Sequence, residues 1–176
     1  MDASDSQIKF DNHGICDHCN TYDQNIKPFW KPEASNSSQM MELVQKVKVS
    51  GKGKEFDCLM GMSGGIDSSF LLHKMVTEYG LRPLVFHVDA GWNTDKAVGN
   101  IEKICNGLGL DLYTDVINWE EMKDLQVAFL KSQIADQDLP QDFAFFSSLY
   151  KFAKKNRIKY VLTGGNFSTE CCREPE

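Results

Sequence analysis

Four short apolar runs separated by longer amphipathic segments are the feature that most constrains the fold of this 176-residue chain. Strands that are buried on both faces of a parallel sheet give short apolar runs, and the amphipathic segments between them are typical of crossover helices. The pattern therefore predicts an α/β protein with a doubly wound parallel sheet. The four strands are predicted near 56–62, 83–89, 111–117 and 159–163.

Apolar residues at helical spacing predict helices between these strands. The first begins at Ile66 and ends before Gly80, a residue that suits a helix C-terminus, and the second is capped by Asn93 or Thr94. Right-handed crossovers between the units predict the strand order 3-2-1-4, with helices on both faces of the sheet. The other helices are predicted over 39–49, 120–135 and 142–156.

Residues 1–38 differ from the rest of the chain in composition. They are polar, contain scattered Gly and Pro, and end in a Ser/Asn-rich stretch. Such a composition predicts an irregular N-terminal extension, followed by one α/β domain over 39–176.

The cysteines fall into two kinds. Cys16 and Cys19 form a C-x-x-C in the extension, which is the spacing of half a structural zinc site, so they are candidate ligands for a partial zinc knuckle. Cys58 and Cys105 lie in strand-like and helix-like apolar runs, and we expect them to be reduced core cysteines.

The charge balance argues against a nucleic-acid partner. The chain carries 19 Lys and Arg residues against 25 Asp and Glu, a formal net charge of −6. Its basic stretch over 151–159 lies at the C-terminus of the helix predicted over 142–156, where positive charge is expected without any ligand. No apolar run approaches the roughly 18 residues of a membrane span, and residues 1–10 lack a signal-peptide core. We therefore expect a cytoplasmic protein that binds neither nucleic acid nor membrane.

Candidate chemistry concentrates in Ser63-Gly64-Gly65-Ile66-Asp67-Ser68, between the first strand and the first long helix. Adjacent glycines permit positive φ and let main-chain N–H groups surround an anion at a helix N-terminus. Ser63 and Ser68 add hydroxyl donors for a phosphate, whereas Asp67 would repel a phosphate and therefore suggests a bridging Mg²⁺. The alternative is a tight turn in which Asp67 and Ser68 serve only the helix N-terminus.

This segment resembles the pyrophosphate-binding loop of the PP-loop ATP pyrophosphatase superfamily, whose fold is adenine nucleotide α-hydrolase-like. Within that superfamily the chain is similar to the N-acetyl sugar amidotransferases over nearly its whole length. The segments that carry this similarity are Asp89-Ala90-Gly91-Trp92-Asn93, Ala97-Val98-Gly99-Asn100-Ile101, Leu149-Tyr150-Lys151-Phe152-Ala153 and the run from Lys159 to Glu170.

The resemblance implies a reaction. Family members convert the N-acetyl group of a nucleotide-activated sugar into an acetamidino group during the synthesis of bacterial surface polysaccharide, including lipopolysaccharide O-antigen. It implies that ATP and Mg²⁺ are used to adenylate the amide oxygen, with release of pyrophosphate. It also implies that ammonia comes from glutaminase and cyclase-like partner subunits.

The resemblance also implies roles for residues that follow the strands. Catalytic roles fall on Asp67, Asp89 and Glu170; Asp89 is supported independently, because ligands bind outside the carboxyl ends of parallel strands. For His87, a satisfied residue at a strand end is an equally good interpretation. Nucleotide binding is implied for Ser63, Gly64, Gly65, Asp67, Ser68, His87, Val88, Gly164 and Gly165, with Asn166 facing the same crevice.

Two departures from the family suggest that the chain is a fragment. Family members carry another C-x-x-C upstream of Cys16, so a complete Zn²⁺ site is expected only in the full-length protein. They also continue well beyond Glu176, so the chain is interpreted as the N-terminal half of a longer protein. We therefore expect an exposed sheet edge or apolar surface, and with it homo-oligomers.

Two other functions stay open at this point. A tRNA-thiolating enzyme of the same superfamily would explain both the loop and the C-x-x-C, although the net charge of −6 disfavours it. A non-catalytic nucleotide-binding module would explain the loop alone.

Overall fold

The computed structural model of the protein describes residues 5–30, 38–134 and 136–165. The chain divides into two compact units: one contains the described residues up to 41, and the other contains those from 42 to 165. No helix among the described residues is both long and apolar enough to cross a bilayer.

The first unit begins with a loop closed by an antiparallel bridge between Phe10 and Cys16. Inside this loop, Oδ1 of Asp11 accepts hydrogen bonds from two main-chain N–H groups, at 2.8 and 3.0 Å. Helix α1 follows over Asp17–Thr21, and a single π-helical turn covers Tyr22–Ile26. The extension, predicted to be irregular, thus contains short helical segments next to a turn stabilised by its own aspartate.

The second unit is built on a four-stranded parallel sheet. Its strands are β1 Cys58–Gly61, β2 Pro83–Asp89, β3 Leu112–Val116 and β4 Val161–Leu162. Their order is β3-β2-β1-β4 and every pairing is parallel, which confirms the predicted doubly wound topology. Gly61 pairs with Phe86 and Asp89 pairs with Val116, so the carboxyl ends of the strands lie along one edge.

All five predicted helices are present. The last helix, α6 (Leu139–Lys155), begins before the predicted residue 142 because Pro140 occupies its first turn, where a missing N–H costs no hydrogen bond. The helix before it, α5 (Trp119–Ser132), ends before the predicted residue 135, at a left-handed Gln133. The helices are α2 Ser38–Gly51, α3 Ile66–Thr77, α4 Asp95–Leu108, α5 Trp119–Ser132 and α6 Leu139–Lys155.

One face of the sheet packs against α6. Leu59 of β1 and Phe86 and Val88 of β2 form a buried cluster with Leu149 and Ala153 of α6. Burial of these large apolar side chains supplies much of the driving force for closing α6 onto the sheet.

The opposite face carries the other half of the core. Side chains alternate along a strand, so Cys58 and Met60 of β1 and Val85 of β2 point away from the α6 cluster, and all three are fully buried. Right-handed crossovers place α3 and α4 on this face, where Leu72 and Ile101 are buried and the two helices contact each other.

Both predicted core cysteines are free and buried, which confirms that expectation. Burial raises the pKa of the Cys58 thiol to about 12, with a smaller contribution from the neighbouring Asp57 carboxylate. Burial also raises the pKa of Cys105. Neither thiol is suited to nucleophilic chemistry, because the reactive species is the thiolate.

An exposed edge strand and an exposed apolar surface are present among the described residues. Strands β3 and β4 form the two edges of the sheet, and Leu112, Tyr113 and Val116 of β3 are exposed. Helix α6 exposes Phe143, Phe146 and Tyr150 at the spacing of one helix face. Homo-oligomer formation itself stays a prediction.

Candidate functional site

A turn opened by glycine joins β1 to α3 at the carboxyl edge of the sheet. Gly64 has a φ of +76°, and a Cβ there would collide with the main chain of Ala97, 3.0 Å from its Cα. Nδ2 of Asn100 donates to the main-chain oxygen of Gly64 at 3.2 Å. Only glycine tolerates both this φ and so close an approach to Ala97. The main chain of the turn therefore packs directly against α4.

Ser68 organises the turn from within. Its buried Oγ accepts from the N–H of Ser63 at 3.4 Å, lies 3.1 Å from Oγ of Ser63, and donates to the main-chain oxygen of Gly65 at 3.3 Å. The N–H of Gly65 in turn donates to Oγ of Ser63 at 3.3 Å. Of the two hydroxyls predicted to contact phosphate, Ser63 is therefore exposed on the turn, and Ser68 holds the turn together.

The first turn of α3 follows this glycine turn directly. Gly65 is the N-cap residue and has no side chain to accept from the N–H groups of Ile66 and Asp67, and the described residues supply no side-chain cap. Among the described residues, a Cβ on Gly65 would have only Oγ of Ser63 within 4 Å, at 3.3 Å, so nothing besides that hydroxyl crowds this position. Unpaired N–H groups and the helix dipole together favour an anion at this position.

Asp67 is exposed in this first turn and makes no hydrogen bond or ion pair in the part of the chain that the structure describes. Mg²⁺ in nucleotide sites is commonly held by one or two carboxylates together with phosphate oxygens and water. The described residues contain no group of three or more His, Cys, Asp or Glu side chains placed to hold a metal by themselves. Asp67 therefore fits a Mg²⁺ that is shared with a phosphate ligand and does not fit an all-protein metal site.

The chain that leaves β4 reaches the same helix turn. A Cβ on Gly164 would lie 2.9 Å from both N and Cα of Ser68, so the main chain of Gly164 packs directly on α3. Gly165 follows it in an exposed position. The structure thus brings together two predicted glycine segments that are far apart in sequence. Asn166 and Glu170, predicted to continue this segment, lie outside the described residues.

His87 is buried at the end of β2, and both of its ring nitrogens have partners within the protein. Nδ1 lies 2.8 Å from the main-chain oxygen of Met62, which precedes Ser63, and Nε2 lies 3.0 Å from Nδ2 of Asn93. A carbonyl oxygen only accepts, so Nδ1 carries the proton and Nε2 accepts from the Asn93 amide. His87 therefore links β2 to the residue before the turn.

The next two residues of β2 have different environments. The side chain of Val88 belongs to the α6 cluster, so only its main chain is available to a nucleotide. Oδ1 of Asp89 accepts from the N–H of Gly91 at 2.9 Å and fixes the chain that leaves the strand. Asp89 lies at the carboxyl edge, where ligands of parallel α/β sheets bind.

Three residues that shape this region are not among the predicted site residues. Ala97 and Asn100 support the turn from α4, and Asn93 binds His87. Asn93 was an alternative cap for α4, but the cap is Thr94, whose Oγ1 accepts from the N–H of Ala97 at 3.2 Å. The sequence signal for Ala97 and Asn100 was a small residue followed three positions later by an amide, a spacing that places both on one face of α4.

In the first unit, Cys16 and Cys19 form an interacting pair. Sγ of Cys16 is buried and accepts from the N–H of Cys19 at 3.4 Å. Hydrogen bonds from the main chain and thiol of Cys19 lower the pKa of Cys16, and the same contact raises the pKa of Cys19. Tetrahedral zinc needs four ligands, and the described residues supply no third one. The pair therefore fits half of a zinc site and not a complete one.

No protein-family model and no curated protein matches the chain. Among solved structures, glutamine-dependent NAD+ synthetase from Acinetobacter baumannii, in complex with ADP, is similar with a TM-score of 0.54 and 21% identity over 72% of this chain and 25% of that chain. NMN synthetase from Francisella tularensis is similar with a TM-score of 0.50 and 21% identity over 72% of this chain and 53% of that chain.

These likenesses show the fold alone. The parallel sheet with order 3-2-1-4 is the adenine nucleotide α-hydrolase-like fold that the sequence resemblance implied. The chain spans about half of the Francisella tularensis structure and a quarter of the Acinetobacter baumannii one.

Proposed function

We propose that the second unit binds MgATP, with its pyrophosphate at the turn between β1 and α3. The uncapped first turn of α3 at the end of an inner parallel strand is the observation that carries this proposal. Main-chain N–H groups of Ile66 and Asp67 and the hydroxyl of Ser63 would hold phosphate oxygens. Gly64 and Ser68 keep the turn in the required shape from behind.

Asp67 would hold Mg²⁺ together with the phosphate oxygens. The ion, when bound, offsets the negative charge that develops on the departing pyrophosphate. We assign Asp89 to the acceptor side of the reaction, because it lies at the carboxyl end of β2 on the same edge. The third residue proposed for catalysis, Glu170, belongs to the segment that follows Gly164.

For the acceptor we propose the N-acetyl group of a nucleotide-activated sugar. The sequence similarity to N-acetyl sugar amidotransferases over 89–93 and 159–170 supports this choice. An amide oxygen is a poor leaving group, and adenylation converts it into a good one, after which ammonia can form the acetamidino product. Ammonia would come from glutaminase and cyclase-like partner subunits, at a cytoplasmic stage of bacterial surface-polysaccharide synthesis.

Calorimetric titration with MgATP and with magnesium pyrophosphate tests the phosphate site. Gly65→Val puts a branched side chain into the open space in front of the first turn of α3, so binding of both ligands should be lost. Gly107→Val is the matched control, because Gly107 lies in the last turn of α4, beyond the residues of that helix that support the phosphate turn, and a Cβ there meets nothing within 4 Å. Equal affinity of the two variants would overturn the proposed phosphate site.

The reaction is tested by AMP release. AMP that appears only with a nucleotide-activated N-acetyl sugar and an ammonium salt, or with the intact partner subunits, supports the amidotransferase. AMP release that depends on tRNA instead would indicate a thiolating enzyme. MgATP binding without AMP release in the presence of the partner subunits would indicate a non-catalytic nucleotide-binding module.

A further inference from the structure

Two tryptophans meet where the chain leaves β2 and where α5 begins. The rings of Trp92 and Trp119 lie edge to face, with centroids 5.3 Å apart and planes at 77°. Trp92 is 60% exposed and Trp119 is 36% exposed. An indole of this size is ordinarily much more buried, so an exposed perpendicular pair needs an explanation.

The pair is built rigidly into the loop. Gly91 has a φ of +87°, and a Cβ there would overlap the Trp119 ring, so Trp119 packs on the bare main chain of Gly91. The N–H of Gly91 is bound by Oδ1 of Asp89, and Nε1 of Trp92 donates to Oε1 of Gln126 on α5. These contacts hold Trp92 in an exposed position, which is the preorganisation expected of a binding surface.

The pair belongs to the same sheet edge as the phosphate site. Trp92 is followed by Asn93, whose amide binds His87, and the ring of His87 binds the main-chain oxygen of Met62 next to Ser63. Ligands of doubly wound sheets bind along this edge, so a ring placed on Trp92 would lie at the same edge as the proposed ATP site.

The chemistry around the pair favours a sugar ring. The face of an indole carries negative quadrupole charge and attracts the electropositive C–H bonds on one side of a pyranose. Asp89 and Gln126 bind the N–H of Gly91 and Nε1 of Trp92 through side-chain oxygens, and the exposed Glu120 follows Trp119 in sequence. These groups offer carboxylate and amide acceptors for hydroxyl groups.

We propose that Trp92 and Trp119 form a stacking platform for the pyranose ring of the acceptor sugar. This inference rests on the proposed function, which supplies the sugar as acceptor, and it assigns to that sugar a place next to β2. Trp92 provides the stacking face, and Trp119 fixes its orientation through Gly91 and the edge-to-face contact.

Tryptophan fluorescence and ligand-observed NMR test the platform with a panel of methyl glycosides of N-acetylated hexoses. A Trp30→Phe background removes the signal of the exposed Trp30 in the first unit. In this background, Trp92→Ala should weaken glycoside binding about threefold to tenfold, whereas Trp92→Phe should retain most of it because the aromatic face remains. The control is Trp30→Ala in the otherwise unchanged chain, which removes another exposed tryptophan. It should leave glycoside binding unchanged.

Three results would overturn the platform: no glycoside of the panel binds, Trp92→Ala binds it as well as the unchanged chain, or Trp92→Ala weakens adenosine or uridine binding instead. The last result would assign the pair to a nucleobase. The proposed function is tested separately, because the Trp92 variants should bind magnesium pyrophosphate normally. An unchanged chain that binds MgATP but no glycoside overturns the platform alone, and one that binds glycoside but no MgATP overturns the proposed ATP chemistry.

Discussion

His87 donates from Nδ1 to the main-chain oxygen of Met62 at 2.8 Å and thereby fixes the residue that precedes the phosphate turn. Its Nε2 accepts from the Asn93 amide, so one buried ring connects β1, β2 and the chain that enters α4. The arrangement requires the neutral tautomer with the proton on Nδ1. His87 is a positioning residue in this structure, because it acts on the turn through Met62.

Replacing His87 by Leu should loosen the turn without removing any predicted phosphate ligand. The change leaves the Met62 oxygen without its His87 partner in a buried place, at a cost of about 1–3 kcal/mol. Urea unfolding should show this loss, and pyrophosphate affinity should fall as well. Nitrogen NMR of the unchanged chain should show the Nδ1–H tautomer. His73→Leu, at an exposed position of α3, is the control; a protonated Nε2 in the unchanged chain would contradict the assignment.

Gly64 and Gly65 should respond differently to the same substitution. Gly64→Ala forces a left-handed φ on alanine and drives its Cβ into Ala97, so the free energy of unfolding should fall by about 2–4 kcal/mol. Gly65→Ala has an ordinary φ and meets only the Ser63 hydroxyl. Its stability should stay close to that of the unchanged chain. Chemical denaturation of both variants measures the difference, and equal stabilities would refute the close approach of Gly64 to α4.

The fold could be predicted because its signals are local. The apolar run of β2 coincides with the observed Pro83–Asp89, and the glycines before Ile66 mark the end of β1 and the start of α3. Alternating strands and helices with right-handed crossovers then leave few possible topologies. Residue type and spacing along the chain carried all of this information.

The shape of the site could not be predicted in the same way, because it depends on contacts between distant segments. His87 binds Met62 across 25 positions, and Asn100 binds Gly64 across 36. Nothing in the periodicity of α4 indicates which of its residues supports the turn. Likewise, nothing in the motif indicates that Ser68, a predicted phosphate ligand, is buried and donates its hydroxyl to the main-chain oxygen of Gly65.

The buried thiol of Cys58 should make stability depend on pH in alkaline solution. The folded chain keeps this proton up to a pKa of about 12, whereas the unfolded chain loses it near the usual thiol pKa of about 8.5. Between these values the unfolded state binds fewer protons, so stability is full below about pH 8.5 and falls as the pH rises, by up to about 1.4 kcal/mol per pH unit. Cys58→Val should lack this part of the slope. The prediction is contradicted if the unfolding free energies of Cys58→Val and of the unchanged chain fall in parallel from pH 8 to about pH 10.5.

Asp67 should matter for ligand binding and hardly at all for folding. It is exposed and unpaired among the described residues, so Asp67→Asn removes at most a favourable interaction with the α3 dipole, about 1 kcal/mol or less. If the carboxylate shares Mg²⁺ with the phosphates, affinity for MgATP should fall about tenfold or more, which corresponds to about 1.4 kcal/mol. Without Mg²⁺, affinity for pyrophosphate should stay the same or rise, because a repelling charge has been removed.

Asp95→Asn is the control for Asp67→Asn: it makes the same change in the first turn of α4 and should alter neither affinity. Calorimetric titrations with Mg²⁺ and with a chelator separate these effects, and a loss of equal size under both conditions would show that Asp67 does not act through the metal.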